Sequence, residues 1–151
     1  MRLCFALIGS AAVAIAPARA DFSKDWEAYA AETRAACETF ENSLAPSEAP
    51  RPILVDAGDG YAWPRGAPGR PHICLYFGYD IDADGAPQNV ELLFKGPDNL
   101  NYKFVRAGMK TAASRRYQPP GEGEPPSRVV TRIELESAPG WRFRYFIADL
   151  P

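Results

Sequence analysis

The acids of one short stretch have the spacing of a calcium loop. Asp80, Asp82 and Asp84 alternate, Gly85 follows, and Glu91 closes the run after five further residues. That is the ligand order of an EF-hand, with the turn glycine in place. Such a loop sits between two helices. Here Ile73, Leu75, Phe77, Tyr79 and Ile81 alternate with Cys74, Tyr76, Gly78 and Asp80 ahead of it, and Val90 to Phe94 follows as a second apolar run. These flanks read as strands, and acids before a glycine are also what a hairpin turn uses. Asp80, Asp82, Asp84 and Glu91 therefore stand as weak metal-ligand candidates, and the expected use of the acids is in the turn.

Other chemistry has little to build on. His72 is the only histidine, which leaves no material for a hydrolase triad or a histidine-rich metal site. Beside Pro71 at a strand start, it reads as a solvated edge residue. There is no Cys-x-x-Cys and no glycine-rich phosphate loop ahead of a helix. No cofactor is expected, and no enzyme. Trp141, Phe143 and Tyr145 interleave with Arg142 and Arg144, a pattern that single-stranded nucleic-acid binders also show. An edge strand with one apolar and one basic face accounts for the same alternation.

The first twenty residues have the form of an export signal. Arg2 supplies a positive start, Leu3 to Ala16 is an uncharged, mostly apolar run, and Ala18-Arg19-Ala20 fits the small-x-small cleavage pattern. Pro17 and Arg19 cut the run short of the roughly 20 apolar residues a membrane span needs. Cleavage after Ala20 removes two of the 17 basic residues and none of the 19 acids, so the mature chain carries a net charge near −4. That balance opposes a nucleic-acid surface. Export also bears on the two remaining cysteines, Cys37 and Cys74, because an oxidising compartment favours pairing them. The expected location is the periplasm, with no membrane anchor after signal cleavage.

The elements that position these residues follow from periodicity. Ser23 is a candidate N-cap, and Trp26, Tyr29, Ala30, Thr33, Cys37, Phe40 and Leu44 recur at helical spacing up to Pro46. Residues 21–45 thus form an N-terminal helix. Residues 46–60 form a short linker, semi-rigid through its prolines, in which Ile53 to Val55 is a candidate short strand. Residues 61–151 form the main domain. Within it come the hairpin around Asp82 to Gly85, then Gly96 to Asn99 as a source of helix caps, then an amphipathic helix marked by Phe104, Val105, Gly108, Met109 and Ala112. Tyr117 to Ser127 is a proline- and glycine-rich loop. Val129, Thr131, Ile133 and Leu135 alternate as a third strand, and Trp141, Phe143, Tyr145 and Ile147 as a fourth. If the Ile73 set packs on the second helix, Cys74 and Tyr76 point away from it. A Cys37–Cys74 bridge then pins the first helix to the opposite face.

From Tyr61 to Leu135 the order of these elements resembles the C-terminal domain of TonB-type energy transducers. Tyr61-Ala62-Trp63-Pro64-Arg65 looks like the tyrosine–proline entry segment of that family, and Ile73 to Val90 is similar to its first hairpin. Phe104 to Pro119 resembles its helix and exit, with Tyr117 and Pro119 matching the aromatic and the proline. Arg115 stands where the family usually has tryptophan. Val129 to Leu135 matches the last family strand. The resemblance implies an α+β fold: a small antiparallel sheet of three family strands plus a fourth, packed by an amphipathic helix, with an extra N-terminal helix. It further implies a soluble periplasmic module that binds an envelope protein or extended peptide, such as a component of TonB-dependent transport, by strand addition. Val129, Thr131, Ile133 and Leu135 are the expected partner-binding residues, with the fourth strand, Trp141 to Ile147, either a cover over that edge or itself the strand that binds. The alternative is a small secreted enzyme or calcium-binding domain using Asp80 to Asp84.

Overall fold

The structure, a computed structural model, describes residues 19–45, 51–67, 69–124, 126–138 and 142–150. Most of the predicted signal segment, the Pro46 to Pro50 part of the linker and Trp141 lie outside them. Among the described residues two helices and two antiparallel sheets make an α+β fold: α1 (Arg19–Ser43), β1 (Leu54–Asp56), β2 (His72–Ile81), β3 (Pro87–Gly96), α2 (Tyr102–Ser114), β4 (Arg116–Tyr117), β5 (Arg128–Ala138) and β6 (Arg142–Leu150). The larger sheet has the order β3-β2-β5-β6, and β1 pairs β4 in the smaller one. Among the described residues no helix is long and apolar enough to cross a membrane.

The period-two pattern of β2 places its two residue sets in two cores. Ile73, Leu75, Phe77, Tyr79 and Ile81 join Phe104, Val105 and Ala112 of α2, with Val129, Ile133 and Leu135 of β5. Cys74 and Tyr76 face the other way, onto Cys37 and Phe40 of α1. The sheet is covered on both sides at β2, and residues 72 to 79 of that strand are all buried. Cys37 and Cys74 are joined as a disulfide across 37 residues, with Cα atoms 6.3 Å apart. Tyr76 Oη donates towards Cys37 O (3.3 Å) and Glu41 Oε2 (3.1 Å), so α1 is also held by polar contacts on the same face.

Four details depart from the sequence reading. Ser23 lies inside α1 and not at its start, because the described helix already includes Arg19. The cap of α2 is Asn101, whose side chain accepts from Lys103 N at 2.9 Å, and not a residue of Gly96 to Asn99. The linker is drawn into the fold: Leu54 sits opposite Tyr117, and Gln118 N donates to Ile53 O at 2.8 Å. His72 is fully buried. As the first residue of β2 it falls on the α1 face, opposite Glu136 of β5, where neighbours close over it. Proximity to Pro71 gave no sign of that.

Gly85 meets a backbone requirement. Its φ is +80°, and an added Cβ would collide with the Tyr117 carbonyl oxygen. Tyr117 N donates to Gly85 O at 2.9 Å, which docks the β2–β3 hairpin turn on β4. Only glycine combines that dihedral with that approach.

Candidate functional site: the β6 edge and the polar cluster behind it

The predicted partner-binding strand is not an edge. Val129, Thr131, Ile133 and Leu135 are all buried, and β5 pairs on both sides: Thr131 lies between Phe77 and Asp149, Ile133 between Leu75 and Ile147, Leu135 between Ile73 and Tyr145. The cover expected from the fourth strand is real and runs the length of β5, from Val130–Leu150 to Ala138–Arg142. In this state β5 has no free row to offer, so the exposed row moves one strand outward, to β6.

The two outer strands of the larger sheet differ. The β2–β3 ladder breaks register twice, and β3 begins at Pro87 and carries Asn89 at φ 54°. Bulges, proline and irregular backbone are how natural sheets close an edge to further pairing. The β5–β6 ladder keeps one register over nine residue pairs. Phe143 and Tyr145 stand 38% and 49% exposed, and Phe146 55%. Phe143 and Tyr145 share the α2 face with Ile147, while Arg144 and Phe146 take the α1 face, as the register with β5 requires. Trp63 stacks edge-on against Phe104 (4.9 Å) and reaches Phe143 (5.0 Å), so the entry segment supports β6 from the α2 side. On the other face the Arg132 guanidinium lies 5.5 Å over the Phe146 ring and pairs with Glu41 at 2.7 Å.

Behind this strand lies a polar cluster that sequence reasoning missed. Arg115, just past the end of α2, is 3% exposed, and its Nη2 lies 2.9 Å from Asp149 Oδ2. Arg115 Nε donates to Tyr117 Oη at 3.0 Å, and Tyr117 Oη donates in turn to Asp149 Oδ2 at 3.0 Å. Thr131 Oγ1 donates to Asp149 Oδ1 at 2.6 Å. Tyr79 Oη sits 2.6 Å from both Tyr117 Oη and Thr131 Oγ1. With Tyr117 and Thr131 both donating to the carboxylate, the one Tyr79 proton serves one of these two oxygens, and Asp149 is where the donors converge. Burial works against the Arg115 charge, yet the Tyr117 hydroxyl and the Asp149 carboxylate outweigh it and raise its pKa above the usual arginine value. Burial also pushes the Tyr79 and Tyr117 hydroxyls up. One sequence signal could have pointed here. Thr131 and Asp149 occupy apolar-face positions of their strands, in line with Ile133 and Ile147.

His72 forms a second buried polar site. Its Nε2 lies 3.3 Å from Glu134 Oε1 and its Nδ1 3.7 Å from Glu136 Oε1, but neither nitrogen makes a hydrogen bond of good geometry. Removal from water holds its pKa below the ordinary value of 6.5, and Arg34 adds to this. Glu134 and Glu136 act in the opposite sense and do not prevail. The two carboxylates approach opposite sides of the ring, so the three groups do not converge on one point.

The acidic run serves the hairpin. Asp82 Oδ1 accepts from Asp84 N (2.9 Å) and Ala86 N (2.8 Å), and Oδ2 accepts from Gln88 Nε2 (2.8 Å). The Ala86 backbone bond leads in holding its carboxyl below the usual range. Asp80 and Glu91 both pair with Arg128. Among the described residues no group of three His, Cys, Asp or Glu side chains is placed to hold a metal ion. No protein-family model, curated protein or solved structure matches the chain.

Proposed function

We propose that this protein is a binding module of the cell envelope, located in the periplasm, which takes an extended segment of a partner protein as a further strand on β6. The observation that carries the reading is the β6 edge: an outer strand in unbroken register over nine pairs, with three exposed aromatic side chains and no bulge. In strand addition the main chain supplies affinity and alternate side chains supply selectivity. Phe143 and Tyr145 favour apolar partner residues on the α2 face, and Arg144 and Phe146 read the other face. The succession of hairpin, helix and strand along β2, β3, α2 and β5 supports a relation to the TonB C-terminal fold, and with it a partner among the components of TonB-dependent transport. The disulfide supports an oxidising compartment.

Capture from an envelope extract tests the reading. Three immobilised proteins are compared: the native chain, a Phe143→Lys/Phe146→Lys double variant on β6, and Gln88→Lys on the β3 edge. The native chain and Gln88→Lys are expected to retain the same envelope protein and the double variant to lose it. Equal capture by all three, or capture lost only with Gln88→Lys, overturns the proposal.

A further inference from the structure

The polar cluster behind β6 is built as a receptor for a carboxylate. Its donors come from three elements, Arg115 past the end of α2, Tyr117 of β4 and Thr131 of β5, and they converge on both oxygens of one side chain, Asp149. A guanidinium buried this deeply needs a counterion. In the described residues Asp149 is the carboxylate that pairs with it, and Asp149 belongs to the last strand of the sheet.

That strand is held unlike any other part of the larger sheet. Not one described side chain of β6 is buried: Phe143 to Phe146 are exposed, and Ile147 to Leu150 are intermediate. The core-facing residues of β5 beneath it are buried. What fixes β6 is the backbone ladder along one neighbour, the partial packing of Ile147 and Leu150, the contacts of Phe143 with Trp63 and of Phe146 with the Arg132 guanidinium, and the Asp149 carboxylate. A ladder can be exchanged strand for strand with no net loss of main-chain hydrogen bonds. The carboxylate is different. A replacing strand without an acid at that register leaves Arg115 buried and unpaired.

We infer that Arg115, Tyr117 and Thr131 form a carboxylate-reading acceptor on the inner row of β5, occupied in cis by Asp149, and that an extended peptide bearing Asp or Glu at the Asp149 register can take the place of β6. This site is distinct from the outer β6 edge. Its ligand class is an acid-bearing extended strand with apolar or aromatic residues two, four and six positions before the acid, as Ile147, Tyr145 and Phe143 stand before Asp149.

The test uses the full disulfide-bonded chain and two labelled synthetic peptides, RFRYFIADL, the sequence of β6, and RFRYFIANL, its amide counterpart. The chain carrying Asp149→Asn keeps its own strand but offers Arg115 a neutral amide, so β6 competes less well for the acceptor. That chain is expected to bind the acid peptide about 30-fold more tightly than the amide peptide, the loss that follows from leaving a buried charge unpaired. The native chain is expected to bind the acid peptide at least about tenfold more weakly than Asp149→Asn does, because its own strand competes at high effective concentration. Adding Arg115→Met should abolish the preference for acid over amide, which loss of fold support alone does not do. Should Asp149→Asn fail to fold, Ile147→Gly replaces it, loosening β6 while Arg115 stays paired. Equal binding of the two peptides overturns the inference and leaves edge addition on β6 standing, since the outer edge does not read the acid. Binding of neither peptide to the Asp149→Asn chain or to the Ile147→Gly chain overturns it as well.

Discussion

At the residue scale, Arg115 and Asp149 make opposite demands depending on which is removed. Asp149→Asn leaves a buried guanidinium without its counterion and should cost about 3–5 kcal/mol, towards the lower figure because the Asp149 side chain is 22% exposed. Arg115→Met removes the charge that needs the pair. The double variant should therefore be clearly more stable than the sum of the two single losses, and chemical denaturation of all four proteins reads that coupling. Strict additivity would show that the pair is not energetically joined. His72 gives a pH dependence of defined sign. Its folded-state pKa lies below the unfolded value of 6.5, so the unfolded chain binds more protons in that window. The contribution to stability is complete above 6.5 and is lost as pH falls through the folded-state value. Urea midpoints should fall between pH 7.5 and pH 5 for the native chain and fall less for His72→Leu; parallel curves would contradict the assignment. None of the three residues was legible in its role. Arg115 and Asp149 are 34 positions apart, and the one visible hint was a polar group on the apolar alternation of β5 and β6. The surroundings of His72 are set by Glu134 and Glu136 of the neighbouring strand and by the charge of Arg34 on α1, which no local pattern encodes.

At the element scale, periodicity did most of the work. The 3.6-residue spacing located both helices, and the alternation of two located β2, β5 and β6, because each element is long enough to repeat its pattern; β3 was read from a short apolar run after the hairpin turn. β4 has two residues and cannot show a period; it exists because β1, the Gly85 turn and the end of α2 meet there. The packing of α2 is tight enough to decide between two opposed effects of one methyl group. An alanine at Gly108 favours the helix by about 1 kcal/mol. Its Cβ would also stand 2.6 Å from Phe77 Cε2 and 2.7 Å from Cζ, in the centre of the core, where overpacking costs about 1–3 kcal/mol. Gly108→Ala should lower the melting temperature on balance, and an increase would show that α2 shifts freely over β2. The disulfide pins α1 in the same manner. Opening it by Cys37→Ala should remove about 4 kcal/mol for a loop of this length, and reduction of the native protein should match the variant to within error. Its two partners were expected from compartment and count, and the opposite-face placement of Cys74 followed from the strand period.

At the scale of the whole molecule, alternation tells that a segment is a strand but not which strands flank it. Val129, Thr131, Ile133 and Leu135 showed the pattern of a half-buried strand whether β5 was an edge or an interior strand. The order β3-β2-β5-β6 decides the matter, through a ladder between β5 and β6 whose hydrogen bonds leave no mark on residue type. The consequence for function is that one end of the sheet is closed by bulges and proline at β3, and the other is open at β6. Backbone amide exchange along β6, measured on the free protein and on its complex with the envelope partner it captures, tests this most directly. In the free protein, alternate amides of Arg142 to Leu150 should exchange quickly, as the outward row of a terminal strand. In the complex those amides should become protected while the amides of β3 stay unchanged. Unaltered exchange along β6 in a stable complex, or new protection confined to β3, would contradict strand addition at this edge.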